Sequence, residues 1–92
     1  MPLLTSTEIT TKLATLPGWQ LQNAQLERSF SFADFVAAMR FVNAVATAAE
    51  QAGHHPDIDI RYNKVHLALS SHDAGGITER DTDLAAAISG LV

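Results

Sequence analysis

The stretch Asp57-Ile58-Asp59-Ile60-Arg61-Tyr62-Asn63-Lys64-Val65-His66-Leu67-Ala68-Leu69 reads as two strands folded on a two-residue turn. Apolar and polar residues alternate on either side of Tyr62-Asn63, the pattern of half-buried strands. Ile58, Ile60, Val65, Leu67 and Leu69 then share the buried side of an antiparallel pair, with Tyr62-Asn63 as its tight turn. Such a hairpin needs further elements to cover its apolar face.

The chain before it supplies them. Trp19-Gln20-Leu21-Gln22 alternates, Asn23-Ala24 can turn, and Leu26 to Phe30 returns as a second hairpin. Ser31 opens the longest predicted helix, Ser31–Ala52, with Asp34 at the capping-box position. Phe32, Phe35, Val36, Met39, Val42, Val45, Ala46 and Ala49 keep helical spacing, and Gly53 is placed as the C-cap. Ala38, Phe41 and Ala48 widen the apolar surface beyond one stripe, which suits a subunit contact or a broad core contact equally. At the start, Thr5 and Glu8 form a capping box for a helix carrying Ile9, Leu13 and Leu16, which Pro17-Gly18 ends. Ser70 to Gly76 is a loop with two glycines. Thr78-Glu79-Arg80-Asp81 then caps a last helix bearing Leu84, Ala85, Ile88 and Leu91.

The expected fold is therefore α+β, a four-stranded antiparallel sheet with three helices on one face, in the order α-β-β-α-β-β-α. It forms one domain over residues 1–92. With 47% hydrophobic and 17% charged residues the composition is that of a globular protein. Cysteine is absent, which excludes disulfides and thiolate zinc sites. No apolar run approaches the roughly 20 residues needed to span a bilayer. Met1-Pro2-Leu3-Leu4-Thr5 lacks the basic start and apolar stretch of a signal peptide. The expectation is a soluble, cytoplasmic protein without a membrane partner. Net charge is −4 and the six Lys and Arg are scattered, so no basic stripe is available for phosphates. Direct nucleic-acid binding is not expected, and a small molecule or a protein is the better partner.

Three of the four histidines fall in one spaced pattern: Glu50, three residues, His54-His55-Pro56, five residues, Tyr62, nine residues, His72, eight residues, Asp81. Pro56 biases His55 to extended backbone, so His54 and His55 point to opposite sides. Pairing around Tyr62-Asn63 opposes residues near Pro56 with residues near Ser70, which returns His72 to His54 and His55. Asp81 fits either a capping carboxylate or a member of this site, and Glu50 faces either the site or solvent. Acid–base chemistry, a divalent-metal site and structural histidines all remain open on this pattern. His66, on the polar phase of its strand, reads as a surface residue. There is no cysteine nucleophile, no serine lies in a nucleophile elbow, and Gly75-Gly76 is a turn or hinge. Proton transfer is the chemistry that survives.

The pattern Glu50…His54-His55-Pro56…Tyr62…His72…Asp81 closely resembles the signature of pterin-4a-carbinolamine dehydratases. Tyr62-Asn63-Lys64-Val65, Ser71-His72-Asp73, Pro17-Gly18-Trp19 and Phe30-Ser31-Phe32-Ala33-Asp34-Phe35 extend the resemblance over nearly the whole chain. Where many members carry an aromatic residue after the His-His-Pro-acid stretch, this chain has Ile58, which alters a pocket wall and leaves the acid–base groups in place. The resemblance implies the α+β fold above and dehydration of 4a-hydroxytetrahydropterin to quinonoid dihydropterin. In that reaction the tetrahydropterin used by aromatic amino-acid hydroxylases is recycled, without metal or other cofactor. It implies catalytic roles among His54, His55, His72 and Asp81, with His54 and His72 as general acid and base. Glu50, His55, Pro56, Ser71, Asp73 and Trp19 are the implied substrate contacts, Trp19 also fitting a core position. A homodimer or homotetramer through the long helix Ser31–Ala52 is the expected assembly.

Two rivals stand beside this reading. Relatives of the fold act as dimerisation partners of a transcription factor or as assembly chaperones of a carbon-fixing enzyme. The chaperone-like members tend to lose parts of the histidine motif, and this chain keeps all of it. The other rival is a metal-dependent hydrolase built on the same histidines.

Overall fold

The computed structural model describes residues 2–92. Its elements are α1 (Ser6–Leu13), β1 (Gln20–Gln22), β2 (Gln25–Ser31), α2 (Phe35–Ala52), β3 (Asp57–Arg61), β4 (Lys64–Leu69) and α3 (Glu79–Ser89). All strand pairs are antiparallel, in the spatial order β1-β2-β4-β3. The two hairpins thus join through β2 and β4, with Leu26 opposite Leu69 and Phe30 opposite Val65. Side chains alternate across a strand, so Leu26, Phe30, Val65, Leu67 and Leu69 leave the sheet on one side. There they form one core with Ile9 of α1, Phe41, Val45 and Ala49 of α2, and Leu84, Ala85 and Ile88 of α3. The fold is α+β, and all three helices cover the same face. Among the described residues no helix is long and apolar enough to cross a membrane.

Local chemistry explains most boundaries. At α1, Thr5 Oγ1 accepts from the Glu8 N–H while Glu8 accepts from the Thr5 N–H, the reciprocal capping box. The helix ends at Leu13, earlier than Pro17, because two successive turns carry the chain from Lys12 to Leu16. Leu16 is buried from within those turns rather than from the helix. At the other end of the chain, Leu91 lies beyond α3, which stops at Ser89, and it is exposed.

The long helix starts later than the sequence suggests, at Phe35 rather than Ser31. Ser31 is still in β2, paired with Lys64, and Phe32 N–H continues the contact by donating to Asn63 O at 2.9 Å. The helix cap is Asp34 itself, whose Oδ1 accepts from Ala37 N–H at 2.9 Å. Ser31 and Asp34 imitate a capping box, but strand pairing claims Ser31 first.

Ile58 and Ile60 lie opposite Leu67 and Val65, on the core side of the sheet. They are nevertheless exposed, at 37% and 36%, as are all five residues of β3. The reason is position: β3 is an edge strand, and the helices centre on β2 and β4. Its charges, Asp57, Asp59 and Arg61, suit an edge that must not recruit other strands.

The β1–β2 turn places Asn23 at φ 52° and Ala24 at φ 61°, both left-handed. Asparagine takes it readily; alanine takes it only at a steric cost. Ala24→Gly should relieve about 1–2 kcal/mol of strain against about 0.5–1 kcal/mol of added chain entropy. The expected outcome is a gain of about 0.5–1 kcal/mol, read as a higher urea midpoint with an unchanged m-value.

Candidate active site

The end of α2 sets the position of the first histidine. Gly53 adopts φ 62°, a conformation natural to glycine, and terminates the helix. His54 N–H then donates back to Ala49 O, and the chain turns toward β3 with His54 buried at 8% exposure. On the far side of the β3–β4 hairpin, Ser71 N–H donates to Gly76 O at 2.8 Å and closes a small loop. Gly75, at φ 80°, completes that loop, which carries His72 and Asp73 outward.

His54, His55, His72 and Asp73 line one cleft of about 250 Å³ together with Gly53 and Ser70. A second cleft of about 270 Å³ shares His72 and Ser70 and continues to Asn23 and Gly76. His72 is therefore the wall between two adjoining spaces. A larger cleft, about 440 Å³, lies between α2 and α3 and contains no histidine. Chemistry rather than size makes the histidine cleft the candidate.

Behind the cleft sits Asp81, fully buried. Its Oδ2 accepts from Thr78 N–H at 2.9 Å and from Ser71 Oγ at 2.8 Å. Its Oδ1 lies 2.5 Å from His54 Nε2. One carboxylate thus caps α3, ties down the Ser71–Gly76 loop and orients His54. A carboxylate only accepts, so Nε2 of His54 is the donor. Nδ1 makes no hydrogen bond among the described residues, and it is not sealed off, since Arg80 Nε is the buried nitrogen without a partner there.

The remaining candidates divide between the rim and the interior. His55 and Glu50 are both exposed, with His55 Nε2 2.8 Å from Glu50 Oε1, beside the half-buried Pro56. Ser71 is fully buried, and its hydroxyl is committed to Asp81 and Thr78 rather than to the cleft. Trp19 is not at the cleft either. It is 4% exposed, stands edge-on to Phe30, and donates from Nε1 to Ser89 Oγ at 2.9 Å. Its place is in the core, the alternative its position in the sequence also allowed. Tyr62 is exposed at the β3–β4 turn in the left-handed conformation, φ 53°. Among the described residues no three His, Asp or Glu side chains come together as a metal site.

Arg80 has no signal in the sequence that marks it for the site, yet it anchors the histidine loop. Its Nη2 donates to both Asp73 carboxylate oxygens, at 2.7 and 3.0 Å. That hydrogen bond, reinforced by the guanidinium's charge, holds Asp73 below the ordinary carboxylate value of 3.8. A lowered carboxylate pKa means the contact is complete above that value and is lost only as pH falls through the lowered one. The clamp therefore persists at neutral pH. Arg80→Gln should let the Asp73 pKa rise toward 3.8, which a carbon-detected NMR titration would show. His66, read as a surface residue, also has partners: Ser29 and Glu27. Only the β2–β4 register brings them together, and neither hairpin alone reveals it.

Comparison with known proteins agrees with this architecture. A family model described as pterin 4 alpha carbinolamine dehydratase matches residues 2–91. A relative from Acidobacterium capsulatum, named putative pterin-4-alpha-carbinolamine dehydratase, is 62% identical over 92 residues, covering 100% of both chains. One of the same name from Chloroflexus aurantiacus is 56% identical, covering 100% of this chain and 99% of its own. Among solved structures, a transcriptional coactivator/pterin dehydratase from Brucella melitensis superposes with a TM-score of 0.93 at 35% identity, over 97% of both chains. A pterin dehydratase-like protein identified as a RuBisCO assembly factor in the alpha-carboxysome gives a TM-score of 0.69 at 26% identity, over 80% of this chain and 88% of its own.

Proposed function

The chain belongs to the pterin 4 alpha carbinolamine dehydratase family and is a dehydratase, a lyase; on that footing we propose that it removes water from 4a-hydroxytetrahydropterin by histidine acid–base chemistry. The product is the quinonoid dihydropterin, and the setting is the cytoplasmic recycling of tetrahydropterin for aromatic amino-acid hydroxylation. The observation that carries this reading is the cleft where His54 and His72 meet, with His54 anchored from behind by a buried carboxylate.

The reaction needs a proton delivered to the oxygen leaving C4a and a proton taken from a ring nitrogen, while the nitrogen lone pair drives the C–O bond apart. Imidazoles suit both transfers near neutral pH. Asp81 fixes the Nε2–H tautomer of His54, which leaves Nδ1 as a lone pair and makes His54 the base. His72, exposed on its loop, is the acid. His55 and Asp73 on the cleft wall bind and orient the pterin, with Glu50 and Pro56 beside His55 as further contacts, and Ser71 supports Asp81 from the interior. The substrate is a small molecule rather than a nucleic acid, in keeping with the scattered basic residues.

The test is dehydration of enzymatically generated 4a-hydroxytetrahydropterin, with and without chelator. Chelator-insensitive acceleration supports the reading. No acceleration by a folded preparation would transfer the role to protein binding, of the kind that the RuBisCO assembly factor of the alpha-carboxysome represents.

We also infer self-association through α2, as a homodimer or homotetramer. Phe35 and Val36, at 48% and 56% exposure, leave an apolar surface at its first turn. Light scattering after size exclusion should give a mass above one chain at micromolar concentration. A strict monomer there would remove this inference.

A further inference from the structure

The polar face of the sheet holds a second arrangement of chemistry-bearing residues, none of which lines the histidine cleft. Glu27 and Ser29 are two residues apart on β2, so their side chains leave the sheet on the same side. His66 of β4 is directly opposite Ser29. Its Nδ1 lies 2.7 Å from Ser29 Oγ, and its Nε2 lies 2.9 Å from Glu27 Oε1. The carboxylate can only accept, so the imidazole hydrogen sits on Nε2. Nδ1 then accepts from the Ser29 hydroxyl. Carboxylate, imidazole and hydroxyl stand in the order that activates a serine, with the base in reach of the nucleophile and held by a third group.

Exposure grades along the array in the useful direction. The Glu27 side chain is 14% exposed and that of His66 41%, while Ser29 is open to solvent. Two clefts flank it and have only Ser29 and His66 in common. One, of about 270 Å³, contains Glu27; the other, of about 210 Å³, brings Arg61 and Lys64 to the hydroxyl side. Lys64 makes no ion pair among the described residues, whereas Arg61 leans on Asp59 at 3.4 Å. A cation beside an attacked carbonyl can stabilise the oxyanion that develops there.

We propose that Ser29 is the nucleophile of a second site, one that cleaves small carboxylic esters in the cleft beside Lys64. Ser29 Oγ attacks the ester carbonyl carbon while its proton passes to His66 Nδ1, and the carbonyl π pair becomes an oxyanion. Collapse breaks the ester C–O bond, and the alcohol departs with the proton from His66. Water, deprotonated by His66, then attacks the acyl-serine, releasing the carboxylic acid and restoring the hydroxyl. Water is the one co-reactant, and no electrons are exchanged with another species.

The probe is p-nitrophenyl acetate, with nitrophenolate release followed by absorbance and the acetyl group located by peptide mass spectrometry. The expected result is acetylation of Ser29, abolished in Ser29→Ala and slowed about 10²-fold in His66→Gln, the usual scale of general-base assistance. Circular dichroism melts establish that each variant is folded, and the dehydration rate should be unchanged in both. Acetyl groups found only on lysines or the N-terminus of folded protein would overturn the proposal. So would Ser29 acetylation at the wild-type rate in His66→Gln, because the serine would then owe nothing to the imidazole.

Discussion

Replacing His72 with alanine is expected to lower kcat for dehydration about 10²-fold or more while leaving the unfolding midpoint nearly unmoved. The first half follows from its proposed role as the general acid, whose contribution is typically of that size. The second follows from placement: His72 is exposed on a loop closed by the Ser71–Gly76 bridge, and surface substitutions away from special features stay within about 0.5 kcal/mol. His54→Ala should cost as much in turnover but also destabilise, because it leaves Asp81 Oδ1 without its partner. Stopped-flow rates beside urea curves separate the two. Wild-type turnover in folded His72→Ala protein would end its assignment as the acid, and the uncatalysed dehydration sets the floor against which the loss is read.

The second large effect is at Asp81. Asp81→Ala should cost about 3–5 kcal/mol of stability, because each buried donor left without an acceptor costs about 1–3 kcal/mol. Three donors lose their acceptor at once: the Thr78 N–H, the Ser71 hydroxyl and His54 Nε2. Against a typical total of about 5–15 kcal/mol this leaves a marginal fold, so the assay belongs at low temperature. Turnover should fall together with stability. A variant that lost activity but kept the wild-type urea midpoint would show that the carboxylate is not holding α3 and the loop.

How far the sequence discloses this arrangement depends on the range of each interaction. Capping boxes are local, and both Thr5 with Glu8 and Thr78 with Asp81 are legible in four residues. So are the Asn23-Ala24 and Tyr62-Asn63 turns, which lie between alternating segments. The start of α2 is misread because Ser31 is held by Lys64, a partner in another hairpin. The exposure of Ile58 and Ile60 is hidden for a related reason, since alternation reports which face a residue takes but not whether a helix covers it. In the site, the spacing of His54, His55 and His72 around one hairpin predicts the shared cleft. The contact between Asp81 and His54 spans 27 residues and joins a loop to a helix, so nothing local announces it. Ser29, His66 and Glu27 escape notice for the same reason that Ser31 does: their partners lie across the β2–β4 pairing.

The burial of Asp81 also couples the site to the breathing of the last helix. Helix ends open more readily than whole domains, often with free energies well below that of global unfolding. When the first turn of α3 frays, the Thr78 amide and the His54 ring lose the same acceptor in the same event. With His54 as the proposed base, the fraction of molecules competent to turn over falls as that turn opens. Warming should bend the Arrhenius plot of activity downward before the rest of the protein melts, and deuterium uptake at the Thr78 amide should accelerate over the same interval.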